Sequence, residues 1–340
     1  MFESAAWYDK LPDKKLWIYK PHLDLFFETM YERQKVWARR FLDELPRPWT
    51  DNPILRDYKF TNVYRELDRN SQWQIKNIFL DDNLSLKDLV WKILFFRFFN
   101  NPETFIYSES VTGWKAGIPR WEEYDEDKWD EVIKGIRNDG KNPFTNAYLI
   151  NSQCCPGKTR DYCYTRVVIP ALHNHINAMI NVIDNAKNAE EVIKFWESLP
   201  SVATFISHEF FQDFTYIERY TRHTDFFRFN QNDYTNVGPG ASIGLRLIFP
   251  NLNTLKRQKQ GIYWLQKWAK DNLNRIAQEK GEPFDYLYWD KDKKEYYVCD
   301  QFNITLHQIE MWLCEFQKYW KMTIGEGKQR SSFSPKTKTL

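Results

Sequence analysis

The chain has 340 residues, enough to bury a large core, and its 48 Lys+Arg against 46 Asp+Glu give a net charge of only +2. That balance does not announce nucleic acid as a partner, although charge can still be segregated locally. The five cysteines are odd in number and lack zinc spacing, no leader pattern opens the chain, and even the apolar run Leu89–Phe99 carries Lys92 and Arg97; a reduced, intracellular protein with no membrane span and no structural zinc is expected.

Aromatics make up 17% of the chain, with 15 Trp, 19 Tyr and 25 Phe. They suit aromatic helix packing or surfaces on which bases stack. In chain order, periodicity predicts a charged helix over Leu23–Leu45, ended by Pro46, Pro48 and Pro53. A second helix is expected over Thr61–Phe79, and a centrally buried one over Leu86–Phe99, which is apolar nearly all round. Asn100–Arg120 reads as looser, Asp125–Asn138 as an amphipathic helix, and Gln153–Asp161 as a loop. Helices follow over Thr165–Ala186, Ala189–Ser198, Ala203–Tyr220 and Leu255–Glu279. Phe284–Val298 alternates aromatics and charges and suggests a hairpin near 284–298, before a last helix over Thr305–Trp320. The sum is a mainly α, single globular helical domain over 1–325 with a flexible tail over 326–340.

The stretch Asp233–Gly244 places three of the 12 glycines, Gly238, Gly240 and Gly244, in seven positions ahead of an apolar helix pattern. A Gly-Pro-Gly turn at a helix start can hold phosphate on its amides, and an ordinary loop reads the same way. Gly244, four residues after Gly240, would let the helix sit close to a neighbouring backbone. The spacing also fits a helix-hairpin-helix element; Leu199-Pro-Ser-Val-Ala203 is a poorer match because Ser201 and Ala203 stand where glycines belong. Arg65 and Arg69, one helical turn apart, form a polar stripe with Asn62, Asp68 and Gln72 that can grip phosphate oxygens; a solvated face with internal ion pairs has the same pattern. Asp213 sits among phenylalanines, where burial raises a carboxyl unless an arginine pairs with it. Asp233, ahead of the glycine turn, can orient or deprotonate an amine or water, or simply cap a turn. Lys158 ends a stretch that mimics a phosphate loop but has Ser152 where a glycine is needed; it stays a loop lysine able to meet an anion. No histidine pair has metal spacing.

Phe60-Thr-Asn-Val-Tyr-Arg-Glu-Leu-Asp-Arg69 resembles a signature of the 5-hydroxymethyl-deoxyuridine DNA kinase helical domain, akin to the alpha-glutamyl/putrescinyl-thymine pyrophosphorylases of phage thymine hypermodification. Pro48-Trp-Thr-Asp51, Asn146-Ala-Tyr148, Asp233–Gly244 and Ile309–Lys318 fit the same pattern in the same order, over roughly Leu23–Arg330. The resemblance implies a transferase that displaces pyrophosphate from 5-(pyrophosphoryloxymethyl)uracil in double-stranded DNA with an amine or amino-acid co-substrate. It implies a DNA-glycosylase-like helical fold, a flipped base, action in the host cytoplasm if phage-encoded, and a DNA kinase as partner. Asp233, Asp213 and Asp68 are its expected carboxylates; Arg65, Arg69, Asn62, Gln72, Lys158, Tyr148 and the three glycines are its expected phosphate and substrate contacts. No cofactor is required, and magnesium on the pyrophosphate is compatible. Without a kinase phosphate loop, phosphorylation does not carry over, and Asn146 departs from the glycine expected there. A base-excising glycosylase and a non-catalytic DNA-binding partner of the kinase are the alternatives.

Overall fold

The computed structural model describes residues 2–4, 16–148, 150–327 and 332–333. Most of the tail expected from 326 onward lies outside the described residues. An antiparallel pair, β1 (Phe2–Ser4) with β2 (Trp17–Tyr19), leads into α1 (Lys20–Phe41) and α2 (Pro53–Asp57). Eight helices follow: α3 (Arg69–Gln74), α4 (Leu86–Phe99), α5 (Pro102–Thr112), α6 (Glu126–Asn138), α7 (Arg160–Cys163), α8 (Ile169–Asn185), α9 (Ala189–Glu197) and α10 (Thr204–Tyr220). The described residues continue with α11 (Pro239–Ile248), α12 (Leu255–Lys280), the hairpin β3 (Tyr286–Asp290) and β4 (Glu295–Cys299), and α13 (Leu306–Thr323). The mainly helical class and the small hairpin are as expected.

These elements group into two compact units, one spanning Met1–Asp68 with Thr235–Leu340 and one spanning Arg69–Tyr234. The first unit packs α1, α11, α12 and α13 around Phe26, Phe27, Trp264, Leu265, Trp312 and Phe316, all essentially without solvent contact. Burying a side chain of this size stabilises by about 1.5–3 kcal/mol before ordering costs are subtracted. The buried Trp312 indole N–H donates to the Phe26 carbonyl at 3.1 Å, so the core does not strand it. Local signals set the helix ends. Thr254 caps α12 and Gly281 closes it at φ +72°, while Thr305 and Gln308 form a capping box on α13. In the hairpin, Asp290 accepts from the Asp292 and Lys293 amides at 3.0 Å each and so fixes the turn.

The second unit is organised around α4, which is buried on every side, as its all-round apolar sequence requires. Phe95 meets Trp129 with ring centroids 4.7 Å apart, and Phe98 meets Phe210 at 5.3 Å. Most of the aromatic content is thus core. Ser85 caps α4 by accepting from the Asp88 amide, and Asn100 ends it at φ +45°.

Two expectations need correction. Asn100–Arg120 contains a regular helix, α5, opened by Pro102 in its first turn and closed by Gly113 at φ +73°; Gly113, one of the residues that made the stretch read as loose, is its stop signal. The continuous helix over Thr61–Phe79 is absent. Residues 60–64 are irregular, Arg65–Leu67 form one 3₁₀ turn, Asp68 is extended (ψ 144°), and α3 runs into a π-helical turn over Ile75–Phe79. Side-chain hydrogen bonds to Asp68 hold this break, as described next.

Candidate functional site

The segment Phe60–Asp68 is held between α1 and α13 by side chains. The buried Arg33 of α1 donates from Nε and Nη2 to the Phe60 carbonyl, at 3.2 and 3.1 Å, and from Nη2 to Asn62 Oδ1. Asn62 closes the loop: its amide and Nδ2 donate to Asp68 Oδ1 at 2.9 and 3.1 Å, and Nδ2 also donates to the Leu67 carbonyl at 2.9 Å. A carboxylate that accepts an amide from six residues earlier cannot sit in a straight helix, which is why the periodic pattern fails here. Arg65 Nε lies 3.5 Å from Asp68 Oδ2. From α13, Glu315 Oε2 accepts from the Thr61 amide at 3.3 Å, and Lys318 pairs with Glu315 Oε1.

Asp68 keeps 22% of its side chain exposed. Its packed surroundings nonetheless raise its carboxyl to about 6; Arg65, the Asn62 amide and Arg33 pull it down, and Glu315 pushes it up. Arg33, buried with no comparable opening, is lowered to about 10 by desolvation, while Asp68 and Glu315 support its charge. A partly open carboxyl that titrates near neutrality, with a fixed arginine beside it, is the pattern of a general base.

The glycine stretch also meets α13. The Gly238 amide donates to Glu310 Oε1 at 3.2 Å. A Cβ at Gly240 would approach Cys314 Sγ to 3.0 Å, and one at Gly244 would run into the Leu313 carbonyl. Gly240 and Gly244 therefore allow α11 to lie directly on α13. Gly244 thus sits close to a neighbouring backbone, as expected, whereas the expected phosphate role of these glycines is revised: helix packing accounts for Gly240 and Gly244, and the Gly238 amide faces a carboxylate of the chain itself. Glu310 and Glu315 lie five residues, about 7.5 Å, apart along α13, so one helix supports both the glycine turn and the Phe60–Asp68 loop. The hairpin expectation shifts as well. Residues 221–238 ahead of α11 are turns and irregular chain, whereas α9 and α10 are joined by the short turn 198–203. Ser201 in that turn adopts φ +60°, the left-handed conformation that a glycine would occupy. The second match, not the first, has helix–turn–helix geometry.

Other expected site residues fall elsewhere. Asp213 has no solvent exposure and binds the Arg97 fork, with Nε to Oδ2 at 2.7 Å and Nη2 to Oδ1, while Gln74 Nε2 donates to Oδ2 at 3.1 Å. Arg97 also reaches Glu209 Oε2 at 3.0 Å. Burial opposes the Arg97 charge, but Asp213 and Glu209 outweigh it and hold the guanidinium protonated. This revises Asp213 from a chemical carboxylate to a core ion pair, because neither oxygen has access to a substrate. Asp233 is exposed in a turn and accepts from the Asn230 amide at 2.7 Å, the capping role weighed against the chemical one. Arg69 opens α3 and pairs with Glu103 on the surface, so it does not share a helical stripe with Arg65. Gln72 is half-buried on α3. The Tyr148 hydroxyl donates to the Arg97 carbonyl at 3.0 Å, and Lys158 is exposed with Nζ 5.2 Å from the Tyr162 ring centre.

The sequence reading missed Arg33, Glu310 and Glu315. Glu310 and Glu315 lie inside the Ile309–Lys318 motif, so that signal was present. It also missed a polar cavity of about 510 Å³ in the second unit, lined by Lys92, Lys115, Arg120, Lys128, Asp81 and Glu123 among others. Lys92 there is lowered to about 8 by burial and donates to the Lys115 and Ile118 carbonyls at 3.1 and 2.6 Å. Those bonds engage two of its three ammonium protons and staple the 115–118 turn.

A family model described as the helical domain of 5-hmdU DNA kinase matches residues 20–329. A 5-hmdU DNA kinase of Bacillus phage SP10 is 28% identical over 306 residues, which is 87% of this chain and 44% of the relative. The chain therefore spans less than half the length of that curated relative. No solved structure shows significant similarity.

Proposed function

We propose, from the premise that the chain belongs to the family of 5-hmdU DNA kinase helical domains, that it acts on hydroxymethyluracil-derived bases in DNA and replaces an activated hydroxyl with an amine. The observation that carries this reading is Asp68, a partly exposed carboxyl raised to about 6 and held by Asn62 and Arg65 within the family signature. In the proposed step the amine nitrogen bonds to the exocyclic methylene of 5-(pyrophosphoryloxymethyl)uracil. The carbon–oxygen bond breaks and pyrophosphate leaves with the electron pair. The proton released by the new ammonium passes to ionised Asp68. Arg65 neutralises the leaving group while keeping Asp68 in place, and Asn62 fixes the oxygen that accepts the proton. The base must leave the stack to reach this loop, at a cost of about a few kcal/mol. The turn 198–203 at the start of α10 suits contact with the DNA backbone, because helix-start amides favour phosphate.

A second reading is favoured by the length of the relative: the chain corresponds to less than half of a kinase, so it can serve as the part that presents DNA to a phosphorylating partner. One experiment separates the two. The protein is incubated with DNA carrying 5-(pyrophosphoryloxymethyl)uracil and candidate amines, and nucleosides are analysed by mass spectrometry. A new aminomethyl nucleoside supports the transferase. Unchanged DNA that is still bound supports the presenting role. An abasic product means base excision and overturns both.

A further inference from the structure

Three cysteines from two parts of the second unit come together. Cys154 and Cys155 lie in an irregular loop, and Cys163 ends α7. Cys154 Sγ is 2.9 Å from Cys163 Sγ and 3.5 Å from Cys155 Sγ, and all three sulfurs lie within 4.8 Å of one another. A fourth donor stands beside them, with Ser201 Oγ 2.9 Å from Cys154 Sγ. Sulfurs bound tetrahedrally at about 2.3 Å from zinc sit about 3.8 Å apart, a separation within the spread of this cluster. The loop is held in shape by its own backbone: the Cys155 amide donates to the Ser152 carbonyl at 2.9 Å, and the Lys158 amide to the Cys155 carbonyl at 3.1 Å. Thr159 then caps α7 by accepting from the Tyr162 amide, which carries Cys163 back to the loop. Cys155 and Cys163 are buried and Cys154 is exposed, so an ion can arrive from the Cys154 side.

We propose that Cys154, Cys155 and Cys163 bind one zinc ion as thiolates, with Ser201 Oγ or a water molecule as the fourth ligand. The donor set selects among metals: thiolates favour zinc and other soft or borderline ions, whereas magnesium and calcium require oxygen. A disulfide would use two of the thiols and leave the third idle; a metal uses all three. Each thiol loses its proton to solvent on binding. The ion would tie the loop 151–159 and α7 to the turn 198–203 between α9 and α10. This assignment does not depend on the reaction proposed above.

The test uses the full chain, purified under reducing conditions with zinc and then desalted. Metal analysis is expected to give about one zinc per chain, and the cobalt-substituted protein should show thiolate-to-metal charge-transfer absorption. Cys154→Ser alters an exposed side chain, so it should stay folded by circular dichroism yet fall below about a tenth of an equivalent of zinc. Cys163→Ser should do the same, and Cys299→Ser should keep its zinc. Wild-type protein without stoichiometric zinc would overturn the proposal. So would zinc retained by both Cys154→Ser and Cys163→Ser, or a Cys154–Cys163 disulfide that forms while zinc is excluded.

Discussion

Asp68 and Asp213 each face an arginine, but the two pairs differ in what surrounds them. Around Asp213 the second unit is sealed: Arg97, Glu209 and Gln74 meet its oxygens or share its arginine, and no solvent reaches it. Asp68 in the first unit keeps part of its side chain exposed, and Arg65 stands off at 3.5 Å. The first arrangement uses strong bidentate geometry to offset the cost of burying charge. The second leaves the carboxyl unsettled enough to accept a proton. Identical side chains thus sit sealed in one unit and partly open in the other, and the deciding variable is how completely neighbours occupy the carboxylate oxygens.

The contrast can be broken most forcefully at Asp213. Asp213→Ala strands the Arg97 charge in the core and should cost about 3–5 kcal/mol of stability in denaturant unfolding. A loss below about 1 kcal/mol would mean that the pair is not sealed. Asp68→Asn should lower turnover in the amine-transfer assay about 10²–10⁴-fold with little change in melting temperature; near-wild-type turnover would remove Asp68 from the mechanism. A pH profile sharpens the same point. Asp68 is raised to about 6, so turnover should rise with pH through an ionisation near that value, and the limb should vanish in the Asn variant. The effect on folding has the opposite direction. Between about pH 4 and 6 the unfolded state has lost this proton while the native state keeps it, so the contribution of Asp68 to stability falls as pH rises. Asp68→Asn should therefore become more stable relative to the wild type across that window. Gly244→Ala, which presses a methyl on the Leu313 carbonyl, should cost about 1–3 kcal/mol through the α11–α13 contact. Asp233→Asn should change stability by no more than about 0.5 kcal/mol, because Asn can still accept from the Asn230 amide; a large loss of turnover there would return Asp233 to the chemistry.

Much of this was legible in the sequence because it depends on local pattern. The all-round apolar run of α4 marks a central helix, and Asp290-Lys-Asp-Lys293 marks a turn between aromatic strands. The signature Phe60–Arg69 singled out Asn62, Arg65 and Asp68, which the structure brings together, although a stripe on a straight helix was the wrong geometry. The break at Asp68 depends on hydrogen bonds from Asn62 and Arg33, and periodicity cannot register a side chain that captures a distant amide. The meeting of Cys154 and Cys155 with Cys163 is hidden for a related reason: two neighbours and a third eight residues beyond do not match any spacing that signals a metal. Gly244 was legible as a close-packing glycine, but Gly240 also suggested phosphate, because close helix contact and anion binding call for the same absence of a side chain.

The division of the chain has a consequence for synthesis. The second unit is one uninterrupted span, Arg69–Tyr234, set within a first unit built from both flanks. As the polypeptide leaves the ribosome, α1 and the Phe60–Asp68 loop emerge before the core that they join. Their partners α11, α12 and α13 appear only after the whole second unit has been made. The inserted span can fold while translation continues, whereas Asp68 acquires its raised carboxyl only when α13 arrives and Glu315 reaches Thr61. A nascent chain stopped before α13 would carry the family signature without the helix that holds it, so assembly of the proposed base is timed to the arrival of α13.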